Sequence, residues 1–256
     1  MAKQPTEAFD KFLARLQDSS LSLAKVGLPE LSDLPASEVR RLEHVWGRID
    51  LARRRRIAAS LIELSEENFE FDFTAALYVL LDDPDAQVRR LAIEGLWESV
   101  ALTTVNRLLE LLRKDPAPEV RAEAASSLSR FTYLAELGKL DQTTANRVRD
   151  SLLATYTEKS EPTSVRRRAL EALGYICDPT VAHLIEEAYR ADEVKLRASA
   201  LRAMGRACDP RWRNIIIDEM HNPDPEMRFE AARAAGELED ERAVPQLENL
   251  LADEDK

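Results

Sequence analysis

The side chains best suited to chemistry are few and scattered. His44, His183 and His221 share no spacing, and none has a second His or a Cys at i+3 or i+4, so a zinc site has no support. Cys177 and Cys208 lie 31 residues apart, each just before an Asp-Pro. That is too few for a disulfide framework, and they are expected to be buried small apolar residues rather than a redox pair. Acidic pairs such as Glu66-Glu67, Asp82-Asp83 and Glu186-Glu187 sit on polar stretches where solvation accounts for them. The Gly-rich phosphate loops, the G-x-S-x-G nucleophile turn and the H-E-x-x-H zinc motif are missing from the sequence. The expectation is a protein with no catalytic residues, cofactor or metal.

Arginine is the remaining candidate. The local basic cluster runs from Arg48 through Arg53 to Arg56, and nucleic-acid binding there is one alternative function. Four consecutive residues on a helix point in four directions, however, which does not make a single patch. Asp plus Glu is 47 against Lys plus Arg 36, a formal net charge of -11 that disfavours generic polyanion binding.

The elements that must position these arginines are helices. Only 7 of 256 residues are Gly and 6% are aromatic, a balance that suits neither a strand-rich fold nor a Gly-looped α/β enzyme. A repeat dominates the chain: VRRLAIEGLW from Val88, VRAEAASSLS from Val120, VRRRALEALG from Val165, LRASALRAMG from Leu196 and MRFEAARAAG from Met227. A degenerate copy starts at Arg54. Counting each anchor as position 0, the apolar positions 0, +4, +5 and +8 form one stripe on a helix turning about 100° per residue. A second apolar stripe precedes each anchor, as in Val105, Leu108, Leu109 and Leu112. Asp-Pro steps separate the helices, with Asp expected to cap and Pro to open the first turn. The 45-residue step from Val120 to Val165 calls for a longer helix pair or a protruding loop. A last first-helix pattern carries Val244, Leu247, Leu250 and Leu251.

The pattern D-P-x-x-V-R-x-x-A-x-x-A-L-G over residues 70 to 252 resembles the HEAT repeat, in particular the short phycobilisome-lyase type. The N-terminal segment SDLPASEVRRLEHVWGRIDLARRRR resembles the start of bacterial HEAT-repeat proteins, a likeness that brings no activity with it. The resemblance implies an all-α, right-handed solenoid of antiparallel helix pairs. Residues 1–69 are expected to form a helical cap with a degenerate repeat, and residues 70–256 the repeats proper, ending in an unpaired or truncated last helix. It implies further that Arg89, Arg121, Arg166, Arg197 and Arg228, all at +1, belong to an Asp–Arg ladder with Asp83, Asp115 and Asp192 five or six residues upstream.

The resemblance also places the second helices on a concave face. Positions +2, +6 and +10, opposite the apolar stripe, with Trp97 at +9, are expected to form an exposed ridge. Its partner-binding candidates are Arg90, Glu94, Trp97, Arg130, Arg167, Glu171, Tyr175, Arg202, Arg206 and Arg233. Arg and aromatic residues are common anchors of protein interfaces. A cytoplasmic scaffold that grips a protein or peptide is therefore the expected function, and no membrane span is expected. The repeat type also raises a bilin lyase-like subunit as an alternative, by fold-level analogy alone.

Overall fold

The computed structural model describes residues 5–207, 209–239 and 241–251, with side chains described from residue 7. Within these residues every regular element is helical, and none is long and apolar enough to cross a membrane. The chain divides into two compact units, Met1–Thr104 and Val105–Lys256.

The first unit contains α1 (Pro5–Gln17), α2 (Leu23–Val26), α3 (Ala36–Trp46), α4 (Leu51–Glu67), α5 (Thr74–Leu80) and α6 (Ala86–Gly95). Helix α3 packs on α5 and α4 on α6, so consecutive pairs stack first helix on first and second on second. Arg53 shows why the degenerate repeat is rich in arginine. It is 1% exposed, and its hydrogen bonds go to backbone carbonyls rather than to a carboxylate. Its Nε donates to the Leu16 carbonyl at 2.6 Å and its Nη1 to that of Leu21 at 2.7 Å, satisfying the orphan acceptors where α1 ends.

Helix α7 (Leu102–Lys114) leads into the second unit, which continues with α8 (Pro118–Glu136), α9 (Gln142–Thr157), α10 (Thr163–Leu173), α11 (Pro179–Tyr189), α12 (Val194–Arg206), α13 (Arg213–Glu219), α14 (Pro225–Glu237) and α15 (Val244–Leu250). The extra residues after Val120 lengthen α8 and α9 to 19 and 16 residues rather than forming a protruding loop. Helices α8, α10, α12 and α14 pack each on the next, while α9, α11 and α13 form the other layer. The stripe residues Val120, Ala124, Ala125 and Leu128, and their equivalents Val165, Ala169, Leu170 and Leu173, are fully buried between the layers.

The turns depart in part from expectation. Asp178, Asp209 and Asp224 cap the helices that follow, accepting from the N–H groups of Thr180, Arg211 and Glu226. Asp83 and Asp115 do not. Their carboxylates accept from the N–H two residues on, at Asp85 and Ala117, and those residues take the cap positions. Cys177 is also corrected: it is exposed, because α10 stops at Leu173 and leaves the thiol in the turn. Cys208 lies outside the described residues.

Helix spacing is set by glycine at +9. A Cβ on Gly174 would stand 2.8 Å from Ala203 Cα, and one on Gly205 would stand 2.6 Å from Ala234 Cα. Backbone cannot yield as a flexible side chain does, so neither site accepts a larger residue without moving α12 or α14. A Cβ on Gly236 meets nothing. Gly205→Ala is therefore expected to lower stability by about 1–3 kcal/mol. Gly236→Ala should be neutral or raise it by up to about 1 kcal/mol. Thermal unfolding of the two variants side by side measures the difference.

Candidate binding face on the second helices

The close approach of α10, α12 and α14 brings the charged side chains of one helix across the backbone of the next. Glu171 is at the centre. It is only 2% exposed, and its carboxylate accepts from Ser199 Oγ at 2.7 Å and from Arg168 Nη1 at 2.7 Å. Arg202 Nε lies 3.5 Å from the same carboxylate. Arg167 Nε donates to Ser199 Oγ at 2.8 Å, and its Nη2 pairs with Glu226 two second helices away. Arg202 Nη1 lies 3.9 Å from Glu230 Oε1, and the other Glu230 oxygen is buried with no hydrogen-bond partner.

This overturns the expected exposure of Glu171, Arg167 and Arg202. Angular position placed them opposite the apolar stripe, facing water. The neighbouring second helix, admitted by Gly174 and Gly205, covers them instead. Sequence reasoning missed Arg168, Ser199 and Glu230, which share position +3. The signal was present, since +3 reads Glu123, Arg168, Ser199, Glu230 in successive second helices, an alternation of charge with one small hydroxyl.

Beyond this network lies a row at +10. Tyr175 has two close neighbours, its ring 5.2 Å from the tilted ring of Tyr133 and 5.0 Å from the Arg206 guanidinium. Arg206 Nη1 donates to the Glu171 carbonyl at 2.6 Å, tying α12 to the end of α10. Arg130 lies over the ring of Phe131 at 4.7 Å, and Arg233 is exposed with its Nε 3.7 Å from Glu237. Tyr133 and Phe229 present large exposed aromatic surfaces on the same layer of helices, Tyr133 being another residue that sequence reasoning missed. The remaining candidates are in the first unit, where Arg90 pairs with Glu94 at 3.0 Å and Trp97 is exposed just past the end of α6.

The +1 arginines bond the backbone of their own turns. Arg89 Nη1 donates to the carbonyls of Asp83 and Pro84 at 2.7 and 3.0 Å. Arg121 does so to Asp115 and Pro116, Arg197 to Ala191 and Asp192, and Arg228 to Asn222 and Pro223. Each closes its own turn through backbone carbonyls five and six residues back. The carboxylate of Asp83 is buried against Arg54 Nη1 at 2.6 Å and Trp46 Nε1 at 2.7 Å. Pairing between repeats is seen in Arg121 Nε with Glu161 at 2.7 Å, and in Arg55, which clasps both oxygens of Asp85. Arg166 is the exception, bonding the Tyr156 carbonyl at 2.9 Å and lying over its ring. The basic cluster is similarly consumed: Arg53, Arg54 and Arg55 are all engaged within the first unit, leaving Arg48, bonded to His44, and Arg56 exposed.

The profile of HEAT repeats matches residues 74–156 and 181–256. The chain belongs to the HEAT-repeat family. Within it, residues 165–190 match the PBS lyase HEAT-like repeat. The fold is accordingly the α-solenoid of such proteins. Among solved structures, the complex of CpcE and CpcF of phycocyanin lyase from Nostoc sp. PCC7120 is similar at a TM-score of 0.60 and 21% identity, covering 84% of each chain. An engineered protein is similar at 0.50 and 18%, covering 79% of this chain and 96% of its own. No curated protein sequence matches significantly.

Burial raises the Glu230 carboxyl above its ordinary value, against the opposing pull of Arg202. The folded state then binds more protons than the unfolded one between the ordinary carboxylate pKa and the raised one, so this group makes stability fall as pH rises through that window. Glu230→Gln is expected to remove that slope and to be at least as stable as the parent at neutral pH. Denaturant melts from pH 4 to 8 measure it, and a steeper loss in the variant would contradict the assignment.

Proposed function

We propose that this HEAT-repeat chain is a non-enzymatic scaffold that binds a protein or peptide on the second helices of its second unit. One observation carries the reading. The arginines of that face are held in fixed orientations by the buried Glu171 and its neighbours, while Tyr133, Phe229 and Arg233 remain at the surface. Rigid Arg and aromatic side chains surrender little conformational entropy on binding, which is what interface anchors require. The cytoplasm suits the exposed Cys177, whose thiol stays reduced there.

A bilin lyase-like role is the second reading. It is supported by the likeness to the CpcE–CpcF complex and by the lyase-type repeat at residues 165–190. Nucleic acid is disfavoured, since three of the four consecutive arginines are committed internally.

A photo-crosslinking residue at Tyr133 or Phe229 is expected to capture partners in the native cell, whereas one at Asp150 on α9 should not. Adducts arising only at Asp150 would move the binding face to the first helices. The double variant Tyr133→Ala, Phe229→Ala should weaken a captured partner by about 1–3 kcal/mol, read by isothermal titration. A visible absorbance titration with a free bilin tests the second reading, for which a shifted and saturable band is the required result.

A further inference from the structure

Arg206 stands apart from the other arginines of this face. Arg167 meets Glu226, Arg168 and Arg202 meet Glu171, and Arg233 meets Glu237. Arg206 forms no ion pair among the described residues. Its Nη1 is spent on a neutral carbonyl, its Nε is buried without a hydrogen-bond partner, and its Nη2 donates to no group among the described residues. Arg202, one turn earlier on α12, adds a second positive charge beside it. Stacking on Tyr175 fixes the plane of the guanidinium and leaves its edge as the recognition element.

We propose that the Arg206–Tyr175 corner is a subsite for a carboxylate side chain of an extended acidic peptide, an inference that rests on the peptide-binding reading of this face. A carboxylate is planar and accepts in the plane of the guanidinium edge, and it would supply the counter-charge that Arg206 lacks among the described residues. Tyr133, its ring tilted against that of Tyr175, extends the site with an exposed ring. Alternate side chains of an extended peptide fall on one side of it. An acidic residue two positions from an aromatic one therefore presents both to the same face. The net charge of -11 does not forbid this, because acids farther away than about 8 Å are screened at physiological salt.

The test uses the full chain and three fluorescein-labelled probes of repeating Glu-Ser-Phe-Ser, Gln-Ser-Phe-Ser and Lys-Ser-Phe-Ser, read by fluorescence anisotropy. The Glu probe is expected to bind about tenfold more tightly than the Gln probe, corresponding to ~1.4 kcal/mol, with the Lys probe weakest. Arg206→Gln should bring the Glu and Gln probes to equal affinity, and Arg206→Lys should retain part of the Glu preference, with thermal melts confirming that both variants are folded. Equal binding of the Glu and Gln probes, or a Glu preference that survives Arg206→Gln, overturns the subsite while leaving the peptide face intact. Failure of all three probes to bind the parent chain overturns both.

Discussion

The second unit depends on how closely its second helices approach one another. With no Cβ at Gly174 and Gly205, the backbones at Ala203 and Ala234 can sit where a side chain would otherwise stand. At that distance the polar rows of α10, α12 and α14 stop being solvated surfaces and become an interface. Ser199 is small enough to lie between Arg167 and Glu171, and Glu171 is deep enough to organise three arginines while being almost fully buried. A charged group so placed is tolerated because every oxygen it carries has a donor. Packing geometry thus comes first and the electrostatics follow from it.

The same economy explains the use of arginine. A planar fork with five donors can serve backbone carbonyls, a carboxylate and an aromatic face at once, where a lysine could not. Arg121 closes its own turn with one nitrogen and reaches Glu161 with another, and Arg206 bonds a helix-end carbonyl while stacking on Tyr175. Net charge is consequently a poor guide to this chain. Many of its basic groups are engaged in turns and between helices, and those left at the surface are positioned by that internal work.

Much of the fold was legible in the sequence. The apolar stripe from Val88, Val120, Val165, Leu196 and Met227 located the second helices, and the family profile agrees over residues 74–156 and 181–256. What periodicity on a single helix could not reveal was the neighbour. Position +6 reads as solvent-facing on a wheel, yet Glu171 is covered by α12, since a wheel contains no second helix. Likewise the spacing of Arg89 from Asp83 correctly indicated proximity but not which atoms meet, because the carbonyl and the carboxylate of one residue are equally distant in sequence. Arg53 to Arg55 read as a surface cluster for the related reason that orphan carbonyls at the end of α1 leave no trace in composition.

The turn-closing arginines have a consequence for how such a chain acquires its structure. Arg89, Arg121, Arg197 and Arg228 each join groups only five or six residues apart. Closing so short a loop costs little entropy and needs no contribution from any other repeat. Each turn can therefore set as soon as its own residues leave the ribosome, and the next helix is delivered already pointing back along its predecessor. Contacts between repeats then add one layer at a time to a preset template. In a chain built this way, vectorial synthesis and folding proceed in the same order.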